Sequence, residues 1–152
     1  MKLRHDIAAL GDDRGAAIVE FAIIFPVLII LLFGMIDFGR AFFLRNNLVA
    51  AAREGSRFGA VRGDACTTNG RTAIAARTSA YIVTIGGAAP TGSQLSVTTP
   101  GACAGGTTTN IVVSIVQYPF VPITPVFRLI NYNTNLLRIN VSATYRWELS
   151  TP

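Results

Sequence analysis

A single carboxylate, Glu20, stands inside an otherwise apolar run, in the stretch Gly15-Ala16-Ala17-Ile18-Val19-Glu20-Phe21, and the run continues to Ile36. An ionisable group at membrane depth costs at least about 2.5–3.5 kcal/mol on insertion scales, so it calls for a partner or a task. A newly made amino terminus would supply the partner. If a peptidase cut after Gly15, the ammonium of Ala16 would lie about one helical turn from Glu20, or would face Glu20 of a neighbouring subunit. Gly-x-x-x-x-Glu-Phe therefore reads as a processing-and-assembly signal.

Little else in the chain could carry chemistry. The only histidine, His5, precedes Gly15, which removes Ser-His and Cys-His nucleophile pairs and any histidine metal site from a cut product. Asp12 and Asp13 also precede the cut, and Glu20, Asp37, Glu54, Asp64 and Glu148 are dispersed. Gly86-Gly87 and Gly105-Gly106 lack the lysine and the strand-loop-helix setting of a phosphate loop. Asn140-Val141-Ser142 matches a glycosylation sequon but falls within a strand pattern. The expectation is a non-enzyme without cofactor or metal. The net charge of +5 comes from scattered arginines with no basic-aromatic cluster, so no nucleic-acid partner is expected.

The elements that would position Glu20 follow from patterning. The apolar run at 16–36 has the length to span roughly 30 Å of hydrocarbon. It exceeds the 7–15-residue core of a secretory signal, and Gly34-Met35-Ile36-Asp37 has no small-x-small cleavage pattern. The 152 residues leave room for one further small domain. The reading is a leader at 1–15, a transmembrane helix at 16–36, and an exported domain at 37–152 into which the helix extends to about Val61. Pro26 should kink or loosen this helix.

Beyond the span, Asp37 and Arg40, and Glu54 and Arg57, stand at i,i+3 spacing and read as solvated pairs. Ala51, Gly55, Gly59 and Gly63 recur every fourth residue. Close packing is expected at Ala51 and Gly55, and fraying at Gly59 and Gly63. A second helix is expected over Arg71–Ile85, ended by Gly86-Gly87, with strands over Ser93–Thr99 and Ile111–Tyr118. The clearest strand is Leu137–Leu149, where Leu137, Ile139, Val141, Ala143, Tyr145, Trp147 and Leu149 alternate with polar residues and one dry face follows. Pro119, Pro122 and Pro125 point to an irregular crossover before it. The fold class is α+β: a long N-terminal helix packed on a small antiparallel sheet.

Taken together, these residues resemble the TadE-like minor pilins, or pseudopilins, of the tight-adherence (Tad/Flp) pilus system. The resemblance is carried by Gly15 with Glu20-Phe21, the apolar segment through Phe25-Pro26-Val27, then Gly34, Asp37 and Gly39. Weaker support comes from Tyr118-Pro119-Phe120, Pro122 to Pro125, and Ala143-Thr144-Tyr145-Arg146-Trp147-Glu148. It implies a pilin-like fold, cleavage by a prepilin peptidase between Gly15 and Ala16, and a role in assembling or priming the pilus. The implied partners are that peptidase, other pilin and pseudopilin subunits, the inner-membrane assembly platform and the lipid bilayer. It also implies a cytoplasmic N-terminus and a periplasmic C-terminal domain, able to enter an extracellular pilus. Counting positive charges would favour the opposite orientation, since Arg40, Arg45, Arg53 and Arg57 follow the span while Lys2, Arg4 and Arg14 precede it. In an oxidising periplasm Cys66 and Cys103 would form a disulfide; two free buried thiols are the other reading. An uncleaved single-pass scaffold binding pilus or secretion-channel components is the alternative function. A tip adhesin would require a binding surface on the Thr67–Gly70 or Gly101–Asn110 loops.

Overall fold

A computed structural model of the chain describes residues 12–104, 109–124 and 137–147. The first element, α1, is one continuous helix, Asp12–Ala60, of 49 residues, which at 1.5 Å per residue is about 70 Å long. It starts ahead of Ala16, so the expected leader is helical from Asp12 onward, with no proline before Gly15 to prevent it. Pro26 lies inside the helix without ending it. None of residues 15–36 is buried, whereas from Asp37 onward one stripe of the helix is covered, through Leu48, Ala51, Ala52, Gly55, Ser56 and Ala60. These positions recur every three or four residues, as one face of a 3.6-residue helix requires.

A second helix, α2, spans Thr68–Thr84. It begins earlier than the expected Arg71 because Thr67 caps it, its hydroxyl accepting from the Gly70 N–H at 3.0 Å. The first turn requires glycine at position 70, because a Cβ there would run into the Asp64 carbonyl. The helix closes with Gly86 at φ 81°, a left-handed conformation that glycine adopts without Cβ strain. The Gly87 N–H returns to the Ile82 carbonyl at 2.9 Å.

Three strands follow: β1 Leu95–Thr98, β2 Asn110–Pro119 and β3 Arg138–Arg146, with a 3₁₀ turn at Gly101–Ala104 between the first two. They form an antiparallel sheet in the order β1-β2-β3. The register pairs Val113 with Val97 on one side and Ala143 on the other. Between Ile115↔Val141 and Tyr118↔Ile139, β2 carries one residue more than β3, a β-bulge. Gln117 sits there at φ 55°. Its N–H is taken by the Asn140 side-chain oxygen at 2.6 Å, so Asn140 holds the bulge in place.

The core lies where α1 and α2 cover one face of this sheet. Leu48, Ala51 and Ala52 of α1 meet Ile74 and Ile82 of α2, and Ile111, Val113 and Ile115 of β2, all fully buried. Val141 and Ala143 extend it into β3. Each large aliphatic here contributes about 1.5–3 kcal/mol relative to exposure. The strand expected over Leu137–Leu149 is shorter, because Leu137 and Trp147 fall outside its ladder and Leu149 lies outside the described residues. Its dry face is also shorter: Leu137 and Tyr145 are exposed at 44% and 42%, since the helical cover reaches only the middle of β3. Gly59 corrects the expectation of fraying. A Cβ on it would lie 2.7 Å from Ile74 Cδ1 and 3.2 Å from Ile111 Cδ1, so it packs as Gly55 does against Thr78. Gly63 has open space around it and follows the helix end. The α+β architecture, a long apolar N-terminal helix on a small antiparallel sheet, is the one expected.

Candidate functional site

Gly15, Ala16, Glu20 and Phe21 all lie on the outer surface of α1. A Cβ on Gly15 would meet nothing within 4 Å. Glu20 follows Ala16 by four residues, a rise of about 6 Å on the same side of the helix. Among the described residues it has no ion-pair partner. Phe21 stacks at a tilt on Phe25, ring centroids 5.2 Å apart. Phe21, Ile24, Leu28 and Leu31 are more than half exposed, and among the described residues none of the head covers this stretch. The helix from Gly15 is long and apolar enough to cross a membrane. An uncovered apolar surface of that length is stable in lipid and not in water.

A second cluster sits at the neck, where the span meets the head. Asp37, 2% exposed, is not the solvated partner of Arg40 that its i,i+3 spacing suggests. Its carboxylate accepts from the Ile123 N–H at 3.1 Å, the Thr124 N–H at 3.2 Å and the Thr124 hydroxyl. Arg40 completes the set, 3.4 Å from the same carboxylate and 3.4 Å from the Val121 carbonyl, with its guanidinium 5.5 Å from the Phe120 ring centroid. Burial pushes this carboxyl up, but the Thr124 hydroxyl, the two backbone amides and Arg40 outweigh it and hold the pKa below its ordinary value. The segment Phe120–Thr124 is thereby tied to the first turn of helix beyond the apolar run.

Glu54 likewise has a partner that its sequence neighbours do not reveal. It binds Arg57 at 3.1 Å and also Arg77 of α2 at 3.0 Å, joining the two helices. Arg77 and then Arg57 hold its carboxyl below the usual range. Cys66 and Cys103 are at disulfide-bonding distance, their Cα atoms 5.5 Å apart, which joins the loop before α2 to the 3₁₀ turn. Tyr118 donates to the Ala88 carbonyl at 2.8 Å and pins the α2–β1 connection to the sheet.

Among the described residues no group of three His, Cys, Asp or Glu side chains gathers as a metal site. The loops named for an adhesive surface divide: Thr67–Gly70 serves as the cap and first turn of α2, and residues 105–108 of the other lie outside the described residues. Asp37 as a neck clamp was beyond sequence reasoning, because Thr124 is 87 positions away; its place just past the apolar run was the available signal.

Neither a curated protein nor a solved structure matches the chain. The family model described as TadE-like protein matches residues 15–57, from the glycine ahead of Glu20 to the last turn of α1. The match covers the apolar run of α1, with the Gly15–Glu20-Phe21 pattern at its start, and most of the helix beyond it, but neither α2 nor the sheet. Through residues 15–57 the chain is thus similar to the TadE-like protein family.

Proposed function

We propose that the chain is made as a prepilin, is cut by a prepilin peptidase between Gly15 and Ala16, and serves as a minor pilin or pseudopilin in assembling or priming a tight-adherence pilus. Its N-terminus lies on the cytoplasmic side of the inner membrane and its head in the periplasm. Its partners are the peptidase, other pilin and pseudopilin subunits, and the inner-membrane assembly platform. Glu20 receives the Ala16 ammonium of a neighbouring subunit and sets the axial register. Phe21, Ile24, Leu28 and Leu31 exchange lipid for neighbouring helices, and Pro26 eases the bending this needs. The Cys66–Cys103 disulfide braces the head outside the cytoplasm.

The observation that supports this most is Glu20 itself: an acid on an uncovered apolar helix face, with no partner among the described residues, at the fifth position past the bond to be cut. A buried charge without a partner in lipid is costly, and an ammonium from a second subunit removes that cost. The test is Glu20→Ala in the native host. Cleavage should persist while sheared fibres disappear; normal amounts of sheared pili would refute the register role.

A second reading, an uncut single-pass scaffold whose head binds pilus or secretion-channel components, draws on α1 running unbroken across the Gly15–Ala16 bond from Asp12. A peptidase acting there must first unwind the first turn.

A further inference from the structure

The neck cluster fixes where the head stands relative to the bilayer, and that position gives one of its surfaces a partner. The run at 16–36 rises about 31 Å as a helix, which fills the hydrocarbon layer, and each headgroup layer adds about 5–7 Å beyond it. Residues 37–40 of α1 therefore lie in the headgroup layer. Asp37 accepts the Ile123 and Thr124 N–H groups, and Arg40 donates to the Val121 carbonyl. Residues 121–124 are thus held at that same depth, whatever the tilt of the helix.

At this depth the segment exposes apolar side chains that the head does not use. Val121 is 60% exposed and Ile123 68%, while Phe120 and Thr124 on either side of them are buried. The alternation turns Phe120 and Thr124 inward and Val121 and Ile123 outward. Arg40, 42% exposed, stands beside them and offers a cation at the level of lipid phosphates. A groove of 560 Å³ bordered by Ile36, Phe43, Ile85 and Val121 carries apolar surface from the end of the span up to the head.

We infer that Val121 and Ile123 form a second membrane contact, inserted at the outer edge of the hydrocarbon, with Arg40 at the phosphate level above them. The partner is the lipid surface. The segment is continuous with the span through the Asp37 clamp, so the head rests on the bilayer and is not carried clear of it. This rests on residues 16–36 crossing the membrane, and the test separates the two.

The chain's one tryptophan, Trp147, donates to the Arg62 carbonyl at 3.0 Å, at the far end of α1. That end is about 35 Å beyond Ile36 along the helix, out of reach of lipid. The full chain is reconstituted in phosphatidylcholine vesicles with and without bromine-substituted acyl chains, as the parent and as Ile123→Trp, Val121→Trp and Phe25→Trp. Emission of the parent should not respond to bromine. The emission added by Trp at 25, and by Trp at 123 or 121, should fall about twofold or more, because each lies within or at the edge of the acyl layer. Quenching at 25 with none at 121 and 123 overturns the contact and leaves the span intact. No quenching at 25 overturns the span, and the lipid contact with it. Trp at 123 and 121 shielded from an aqueous quencher yet untouched by bromine would mean a protein partner on this surface, and also overturns the proposal.

Discussion

The carboxylate of Asp37 on α1 accepts the backbone N–H of Thr124 at 3.2 Å, across 87 positions of sequence. With the Ile123 N–H and the Thr124 hydroxyl on the same group, a single aspartate ties the crossover after β2 to the helix where it leaves the apolar run. Hydrogen bonds to a charged group contribute about 1.5–3 kcal/mol each, and donors left buried without an acceptor add their own cost.

Asp37→Ala should therefore destabilise the head by about 3 kcal/mol or more, and Asp37→Asn, which keeps one acceptor oxygen, by less. Urea unfolding of the detergent-solubilised protein, followed by Trp147 emission, gives both midpoints. A midpoint for Asp37→Ala equal to the parent's would contradict the clamp.

Acid should release the same tie. Asp37 and Glu54 both have pKa values held below their ordinary 3.8 and 4.5, Asp37 by hydrogen bonds that outweigh its burial and Glu54 by Arg77 and Arg57. A carboxylate with a lower pKa folded than unfolded adds stability above the unfolded value and loses it as pH falls through the folded one. The unfolding midpoint should hold steady down to about pH 5 and drop progressively below about pH 4. In Asp37→Asn combined with Glu54→Gln that drop should be shallower; an unchanged acid limb would show that other groups cause it.

Three glycines should respond differently to a methyl group. Gly70→Ala meets the Asp64 backbone carbonyl, which cannot step aside, and should cost the most. Gly55→Ala meets Thr78, short, buried and bonded to the Ile74 carbonyl at 2.9 Å. Overpacking of about 1–3 kcal/mol should exceed the gain of about 1 kcal/mol in helix propensity. Gly59→Ala meets the flexible end of Ile74 and should be the mildest. Thermal midpoints rank them, and Gly59→Ala as the worst of the three would contradict the packing described.

Cys66 and Cys103 stand 37 positions apart, and closing a loop of that length stabilises by about 4 kcal/mol in the chain-entropy model. Cys66→Ser with Cys103→Ser should lower the unfolding midpoint accordingly, and a reductant should lower the parent's but not the variant's. Equal midpoints for parent and variant without reductant would mean that the cysteines are not joined.

The parts legible in the sequence were those set by local pattern. Twenty-one mostly apolar residues, the alternation through Val141 and Ala143, and Gly86-Gly87 after a helical stretch each carry their own period or stop signal. The parts that were not legible depend on contacts across the fold. Asp37 and Glu54 looked like surface pairs because Arg40 and Arg57 stand three residues on, whereas Thr124 and Arg77 reach them only after the chain has folded back. Gly59 resembled a fraying residue until Ile74 and Ile111 came against it, and Leu137 and Tyr145 kept the alternation after the helical cover had ended. Gly15, Ala16, Glu20 and Phe21 form a pattern that is local along the chain; the role proposed for them requires a second molecule.

That dependence makes the N-terminus of the native protein the most direct test. Intact-mass measurement of the chain extracted from membranes of its host should give a species beginning at Ala16, and the Gly15→Val variant should accumulate uncut. A native chain that still carries Met1 and the residues up to Gly15 would contradict processing at this site and leave Glu20 without the ammonium on which the account depends.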